Sequence, residues 1–306
     1  MSPRFTLHQL EYLVSVADEG SISAAAVRSH ATAGAVSMAL KELEQRLGTQ
    51  LFIRRKAKAL TLTAAGARAL ADARRILAAA EELQGSASAT QNDIGGTLSV
   101  GCYSTLAPFM IPPVLDDFAG QFPALTVQIF EGTADEVVGA IRTGRCEIGF
   151  LYKEDLPDGM EASVVRTTKP YVILAEDHPL AARREVKLDE LADEPLIMFD
   201  APSARNAAHM LEAVGLTARI RHFSSNIEVV RSLVARGIGY SILVQKWPID
   251  ISYEGRPIAA RPIDGATVER QVALASMSGT KPTRRSQALI DFCRDTFLED
   301  PPGLVS

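Results

Sequence analysis

Cysteine is scarce in this 306-residue chain, and the three present, Cys102, Cys146 and Cys293, stand far apart. That spacing forms neither a disulfide framework nor a CxxC metal or redox motif. Tryptophan occurs once and aromatic residues make up only 6%. No apolar run reaches the roughly 18 residues that a membrane-spanning helix needs. Catalytic signatures are missing as well: there is no HExxH, no GxSxG and no P-loop. "GIGYSI" (Gly237 to Ile242) begins like a dinucleotide fingerprint, but it lacks the third glycine and ends a helix instead of opening one. His8, His30, His178, His209 and His222 have no metal-ligand spacing. These absences argue against an enzyme, a metal site and a membrane partner, and no catalytic residue or cofactor is expected.

The first twenty residues have charges and polar residues spread throughout, unlike a secretory signal, which leads us to expect a cytoplasmic protein. Positive charge is also lacking overall, with a formal net charge of -5. The mean hides a split. Residues 1–90 carry 11 Lys/Arg and 8 Asp/Glu, whereas the remainder carries 21 and 29. A small basic head on an acidic body follows, and "RRKAK" (Arg54 to Lys58) places four cations in five residues of that head.

Leu7, Leu10, Leu13, Val14 and Ala17 recur at helical spacing, predicting a first helix that ends at Gly20. Ser21 caps a second short helix, and Thr32 a third whose stripe is Val36, Leu40, Leu43 and Leu47, stopped by Gly48. "QLFIRRKAKALTLT" then places strand formers on either side of the basic cluster and reads as a hairpin. Three compact helices and a basic hairpin make a winged helix-turn-helix over residues 1–62. From Thr63 an Ala-rich helix of good helix formers runs to about Ala87, suited to pairing with a copy of itself. "GSASATQNDIGG" breaks the pattern, so residues 63–90 form a linker helix and hinge.

The rest alternates strands ("GTLSVGCY", "LTVQIFEG", "CEIGFLY", "YVILAE", "PLIMFD", "ARIRHFS", "YSILV") with helices. Those helices lie near Leu106–Phe118, Thr133–Thr143, Asn206–Val214 and Asn226–Arg236. This predicts an α/β body with parallel sheets over residues 91–306. "GTADEVVGAIRTG" and "SNIEVVRSLVARG" share one design: a capping hydroxyl (Thr133, Ser225), a Glu three residues on, and a Gly stop. Two similar halves suggest two subdomains facing across a cleft, one of about 91–163 plus 268–300 and the other of about 164–267. Tyr103, Ser104 and Thr105 sit where a helix is expected to begin. Their hydroxyls and free N–H groups are suited to receive a carboxylate, and simple N-capping is the alternative.

In order and register, these segments resemble the LysR-type transcriptional regulators over nearly the whole chain. "LHQLEYLVSVADEGSISAAA", "LKELEQRLGTQLFIRR" and "LTLTAAG" are similar to the family's head. "GTLSVGCYSTLAPFMIPPVLDDFAGQFPALTVQIFEG", "DHPLA" and "LVARGIGYSIL" are similar to its effector-binding body. The resemblance implies a winged head, a dimerising linker helix and a two-subdomain body like the periplasmic binding proteins. It also implies a homodimer or a tetramer of two dimers on double-stranded promoter DNA, with RNA polymerase as a further partner and a small organic effector in the cleft. By resemblance, Gly132, Thr133, Ser203, Ser225, Asn226, Ile238 and Tyr240 join Ser104 and Thr105 as effector contacts. Arg205 reads either as a charge partner for an anionic ligand or as an exposed helix residue.

With Val36, Leu40 and Leu43 inward, Ala33, Gly34, Ser37, Met38 and Lys41 face outward on the third helix. Small residues at its start suit close insertion in a major groove about 12 Å wide. Ser37 suits a base or phosphate, Met38 and Ala33 suit thymine methyls, and Lys41 suits a phosphate. The family usually carries Gln at 33, Pro at 34 and often Arg or Gln at 38, so the hydrogen-bonding set here is thin. Arg54 and Arg55 are expected to enter the adjacent minor groove, with Arg28 and Thr32 on phosphates.

Two rival classes explain less of the chain. A transport solute-binding protein accounts for the body but not the head. A redox sensor would need an electropositive, accessible thiol, and Cys102 and Cys146 read as core residues. The effector is expected to be a small carboxylate, with aromatic acids among the options.

Overall fold

The computed structural model describes residues 5–53, 60–88, 94–199, 211–212, 215–265 and 269–297. The chain begins with three helices, α1 (Leu7–Glu19), α2 (Ile22–Arg28) and α3 (Ala33–Leu47). Each starts where a side-chain oxygen meets an orphan N–H. Thr6 accepts from Gln9 in a reciprocal capping box, Ser21 accepts from Ala24, and Thr32 accepts from Ala35. The apolar stripes then close on one another: Leu10, Leu13, Val16, Ala25, Val36, Leu40 and Leu43 form one buried cluster. Strands β1 (Phe52–Ile53) and β2 (Thr61–Leu62) pair antiparallel as the wing. Helix α4 (Ala64–Ser88) follows, and its first turns complete the head, because Leu70 and Ala73 are buried in the same cluster. Arg54 and Arg55 lie outside the described residues.

The body opens with β3 (Gly96–Tyr103), then α5 (Ala107–Pro113), a π-helical turn Val114–Phe118 and α6 (Ala119–Gln121). Pro112 and Pro113 have no N–H to donate, which accounts for the loss of regular i→i−4 bonding just beyond them. After β4 (Leu125–Gly132), α7 (Ala134–Arg142) and β5 (Ile148–Tyr152), the chain forms β6 (Met160–Thr168) and crosses to a second unit. There β7 (Tyr171–Ala175), β8 (Leu196–Phe199), β9 (Ile220–Ser224), α8 (Ile227–Ala235), β10 (Ser241–Leu243) and β11 (Ile258–Pro262) are built before it returns as β12 (Arg270–Met277) and α9 (Arg284–Phe297).

The sheets correct the expectation of parallel pairing throughout. The first has the order β4-β3-β5-β12-β6. Its β3, β4 and β5 are parallel, while β12 is antiparallel to both β5 and β6. In the second unit β10-β7-β11 is antiparallel, β8 and β9 pair in parallel, and single parallel bridges join Val186 to Ile263 and Leu196 to Tyr240. The reason is topological: β12 enters the first sheet from the other unit, so its direction is set by that crossing and not by a βαβ turn. Charged residues interrupt strands β6 (Glu161, Arg166), β11 (Arg261) and β12 (the buried Arg270), and these strands do not stand out in the sequence.

Helix α7 is held unusually close to the first sheet. A Cβ added at Gly101 or Gly149 would come within 2.8 or 2.9 Å of Val137 Cγ1. Val137 and Ile141 are buried there with Phe150 and Leu274. Among the described residues, no helix is long and apolar enough to cross a membrane.

Candidate functional site

The head presents the first turns of α3 to solvent. Ala33, Gly34, Ala35, Met38 and Lys41 are exposed, Ser37 is half-buried, and Val36, Leu40 and Leu43 face inward. Met38 stands 63% exposed, an unusual position for a large thioether in a helix with a well-filled apolar side. A Cβ at Gly34 would meet nothing closer than Thr32 Oγ1 at 4.0 Å, so packing within the protein does not require glycine there. Thr32 is engaged as the cap of α3, accepting from Ala35 N–H at 3.1 Å. Arg28 pairs with Glu19 at 2.9 Å, so it must exchange that partner to reach a phosphate. Val27, at the end of α2, is 77% exposed and does not stand out in the sequence.

The two body subdomains meet across aromatic and amide contacts. Phe109 of α5 stacks edge-on with Trp247, with centroids 5.2 Å apart, and Gln245 Nε2 donates to the Tyr152 hydroxyl at 3.2 Å. Tyr171 donates to the Gln245 carbonyl at 2.9 Å. Tyr103 packs edge-on against Tyr152. Burial pushes the Tyr152 phenol up to about 12 despite the Gln245 hydrogen bond, so it stays neutral at physiological pH.

Arg231 of α8 is buried behind Trp247, with its guanidinium carbon 4.8 Å from the ring centroid. Its Nε donates to Glu228 at 2.9 Å, and its Nη2 donates to the carbonyls of Ile249 and Ile251. Nη1 is buried without a hydrogen-bond partner, and so is Gln245 Oε1. The buried Thr105 Oγ1 faces the Tyr152 phenol without reaching hydrogen-bond geometry. A fourth such atom, Arg270 Nε, belongs to a guanidinium over the Tyr152 ring and has Glu154 at 3.4 Å as an ion-pair partner. Buried polar atoms are ordinarily paired, so the three remaining exceptions at this junction are informative. None of Arg231, Gln245 and Trp247 stands out in the sequence. The one local signal is a cation on the inward face of "IEVVRSLVA", between Val230 and Val234.

The helix starts differ from expectation. Tyr103 to Thr105 do not begin a helix: α5 starts after Leu106, without a side-chain cap. Ser104 instead donates through both its N–H and its hydroxyl to Gly132 O, at 2.9 and 2.8 Å, tying the ends of β3 and β4 together. Thr133 caps α7 as predicted, and Glu136 reaches back to its N–H and hydroxyl. Those bonds hold the Glu136 carboxyl below its ordinary range and place an internal anion at the N-terminus assigned to a ligand. The cap of α8 is Asn226, which accepts from Glu228 N–H at 2.9 Å; Ser225 is exposed and is not the cap. Glu228 turns inward to Arg231 because burying that arginine demands a counter-charge.

Tyr240 is likewise corrected from cleft contact to core residue. It is 2% exposed, and its N–H and C=O bond Pro195 and Ile197. Tyr103 packs inward as the last residue of β3. The Ile238 carbonyl is taken by Arg221. Ser203 and Arg205 lie outside the described residues. All three cysteines are free and buried, with their thiols pushed up by burial, Cys146 to about 11. Among the described residues, no His/Cys/Asp/Glu cluster has the arrangement of a metal site.

A winged head, a long helix and a two-lobed body with a polar junction define a one-component DNA-binding regulator with an effector domain. Residues 7–67 match the family described as bacterial regulatory helix-turn-helix protein, lysR family, and residues 91–298 match the LysR substrate binding domain. The uncharacterized HTH-type transcriptional regulator YvbU of Bacillus subtilis is 28% identical over 95% of this chain and 99% of its own. A full-length OxyR variant from Pseudomonas aeruginosa superposes with a TM-score of 0.79 at 26% identity, over 95% of this chain and 98% of that one. Full-length CbnR in complex with its target DNA does so at 0.60 and 25% identity, over 95% and 100%. The chain belongs to the LysR family of transcriptional regulators, DNA-binding proteins that are not enzymes.

Proposed function

We propose that this regulator senses a small carboxylate, of cyclic or aromatic shape, between its two body subdomains. The observation that carries the reading is the set of buried, unpartnered atoms Arg231 Nη1, Thr105 Oγ1 and Gln245 Oε1. An unpaired guanidinium N–H suits a carboxylate oxygen, and an unpaired amide oxygen asks for a donor such as a ligand hydroxyl. Phe109, Tyr152 and Trp247 supply flat apolar walls. Ser104, Gly132, Thr133, Ser225, Asn226 and Ile238 form the rim of the proposed site, and Ser203 and Arg205 are further proposed effector contacts. Binding favours one closure of the subdomains and so shifts a pre-existing population.

On the DNA side, Ala33, Gly34, Ser37 and Met38 approach the bases, and Lys41, Arg28 and Thr32 the phosphates. Arg54 and Arg55 follow the wing into the minor groove. The protein acts in the cytoplasm as a homodimer or a dimer of dimers through α4, on a two-fold symmetric promoter site where RNA polymerase is a further partner.

The test is thermal unfolding of the full chain with millimolar benzoate, salicylate, shikimate or succinate against sodium chloride. Ligand at a hundred times Kd adds about 2.7 kcal/mol. At least one acid is expected to raise Tm, and Thr105→Val or Gln245→Leu to abolish that rise while leaving the unliganded Tm near its starting value. If no acid exceeds the salt control, the reading is wrong.

A further inference from the structure

We infer that Arg74, on the linker helix, is a positioning residue that fixes the DNA-binding head against the effector body. Its guanidinium bonds two separate parts of the molecule. Nη2 donates to Asp18 on α1 of the head, and Nη1 donates at 2.9 Å to the carbonyl of Thr143, the C-cap of α7 in the body. The Arg74 side chain is 13% exposed, so the fork is held within the protein and does not lie loose in solvent.

A second observation is independent of that side chain's rotamer. A Cβ added at Gly144 would stand 3.1 Å from Arg74 Cβ and 3.2 Å from Ala71 O. The backbone of α4 therefore rides directly on the C-terminal end of α7. Further along α4, a second clasp repeats the theme. Arg285 bonds Glu147 at 2.7 Å and Glu81 of α4 at 3.3 Å, and Glu82 accepts from Arg284 N–H at 3.0 Å.

Helix α7 gives this clasp a direction. Its N-terminus carries Thr133, beside the Ser104–Gly132 link between β3 and β4, and its C-terminus holds Arg74. Nine residues span about 14 Å. Val137 and Ile141, buried against the Gly101 and Gly149 seat, hold the helix on the sheet, so a tilt at one end is passed on at the other. Around the clasp, α1 and the body are separated by an open groove of about 820 Å³, lined by Arg28 of the head and by Arg145 and Lys281 of the body. A polar contact of this kind across an open groove is strong enough to set an orientation and weak enough to be exchanged. Arg74 thus supplies the link by which the state of the body reaches the head. This role deepens the function proposed above and rests on it only for the nature of the signal.

The test needs no effector. Spin labels at Gln45→Cys in the head and Asp158→Cys in the body of the full chain, diluted with unlabelled protein, report the head-to-body distance by pulsed dipolar spectroscopy. One narrow distribution is expected for the parent. Arg74→Ala and Asp18→Asn should each at least double its width, and the double variant should add nothing further. Arg75→Ala, whose partner Asp72 lies on the same helix, should leave it unchanged. Asp18→Asn keeps the Thr143 bond and guards against a folding defect in Arg74→Ala. A width unaltered in both variants, or broadened as much by Arg75→Ala, overturns the inference. Adding the four acids separates the two claims. An acid that raises Tm in both proteins should move the distance only where Arg74 is present, and an equal movement in Arg74→Ala refutes the coupling. If no acid raises Tm, the effector reading fails while the clasp is judged on the widths alone.

Discussion

Gly66 is pressed against Leu51: a Cβ at position 66 would lie 2.0 Å from the Leu51 carbonyl oxygen. That oxygen also accepts from Thr63 N–H at 2.9 Å, and the Thr63 hydroxyl accepts from Gly66 N–H at 2.9 Å. The wing and the start of α4 are thus joined backbone to backbone. Gly66→Ala must displace one of them, at a cost of about 2–4 kcal/mol. Circular dichroism on heating should show the loss in the transition that also abolishes DNA binding. An unchanged melt would mean that the junction is looser than this contact implies.

Gly34 offers the opposite case. Its Cβ position is open, so Gly34→Ala should stabilise the free protein by up to about 1 kcal/mol through helix propensity. If the first turn of α3 enters the major groove closely, the same methyl should weaken promoter binding by about tenfold, or about 1.4 kcal/mol. Gel-shift titration beside a melting curve decides the point, and equal or tighter binding would remove this turn from the DNA.

Base reading and phosphate contact separate by salt. Arg54→Ala should weaken binding to all sequences and reduce the slope of log K against log salt by about one. Met38→Ala should alter base preference in a randomised-site selection and leave that slope alone. A sequence-independent loss in Met38→Ala would argue against contact with thymine methyls.

Glu228 and Arg231 form a buried pair at 2.9 Å. Removing one charge strands the other, so Glu228→Gln should destabilise the body by about 3–5 kcal/mol. Urea unfolding monitored by Trp247 fluorescence measures this directly, because the ring lies against that guanidinium. A loss below about 1 kcal/mol would show that water reaches the pair.

Two chemical probes address the titratable groups. Cys146, held up to about 11 by burial, should resist iodoacetamide at pH 7 in the native protein and react on unfolding, and peroxide should leave DNA binding intact. Glu136 works in the other sense. Its folded carboxyl is held low by Thr133, so its contribution is present above the ordinary carboxylate range and is lost as pH falls through the folded value. Glu136→Gln should therefore lower Tm at neutral pH and converge with the parent in acid. Parallel curves across roughly pH 3–7 would dismiss the cap as a source of stability.

Local rules made the head legible in the sequence. Ser21 and Thr32 cap helices because an orphan N–H lies within reach of a side chain two or three residues away, and the Val36, Leu40 and Leu43 stripe follows from 3.6-residue periodicity. The strand segments of the body were legible for the same reason, since burial on both faces leaves an apolar run such as Ile148–Tyr152. Direction and partnership were not. Strand β12 pairs with β5 across more than a hundred residues, and no local pattern records that. The polar junction of Thr105, Tyr152, Arg231 and Gln245 comes from four separate elements, and Arg74 bonds Asp18 and Thr143, 56 and 69 residues away. By itself the sequence determined where the helices of the head and α7 start and which faces are apolar, because those depend on neighbours along the chain. Only the tertiary structure decided which buried charges and hydroxyls meet, because long-range contacts are fixed by packing whole elements together.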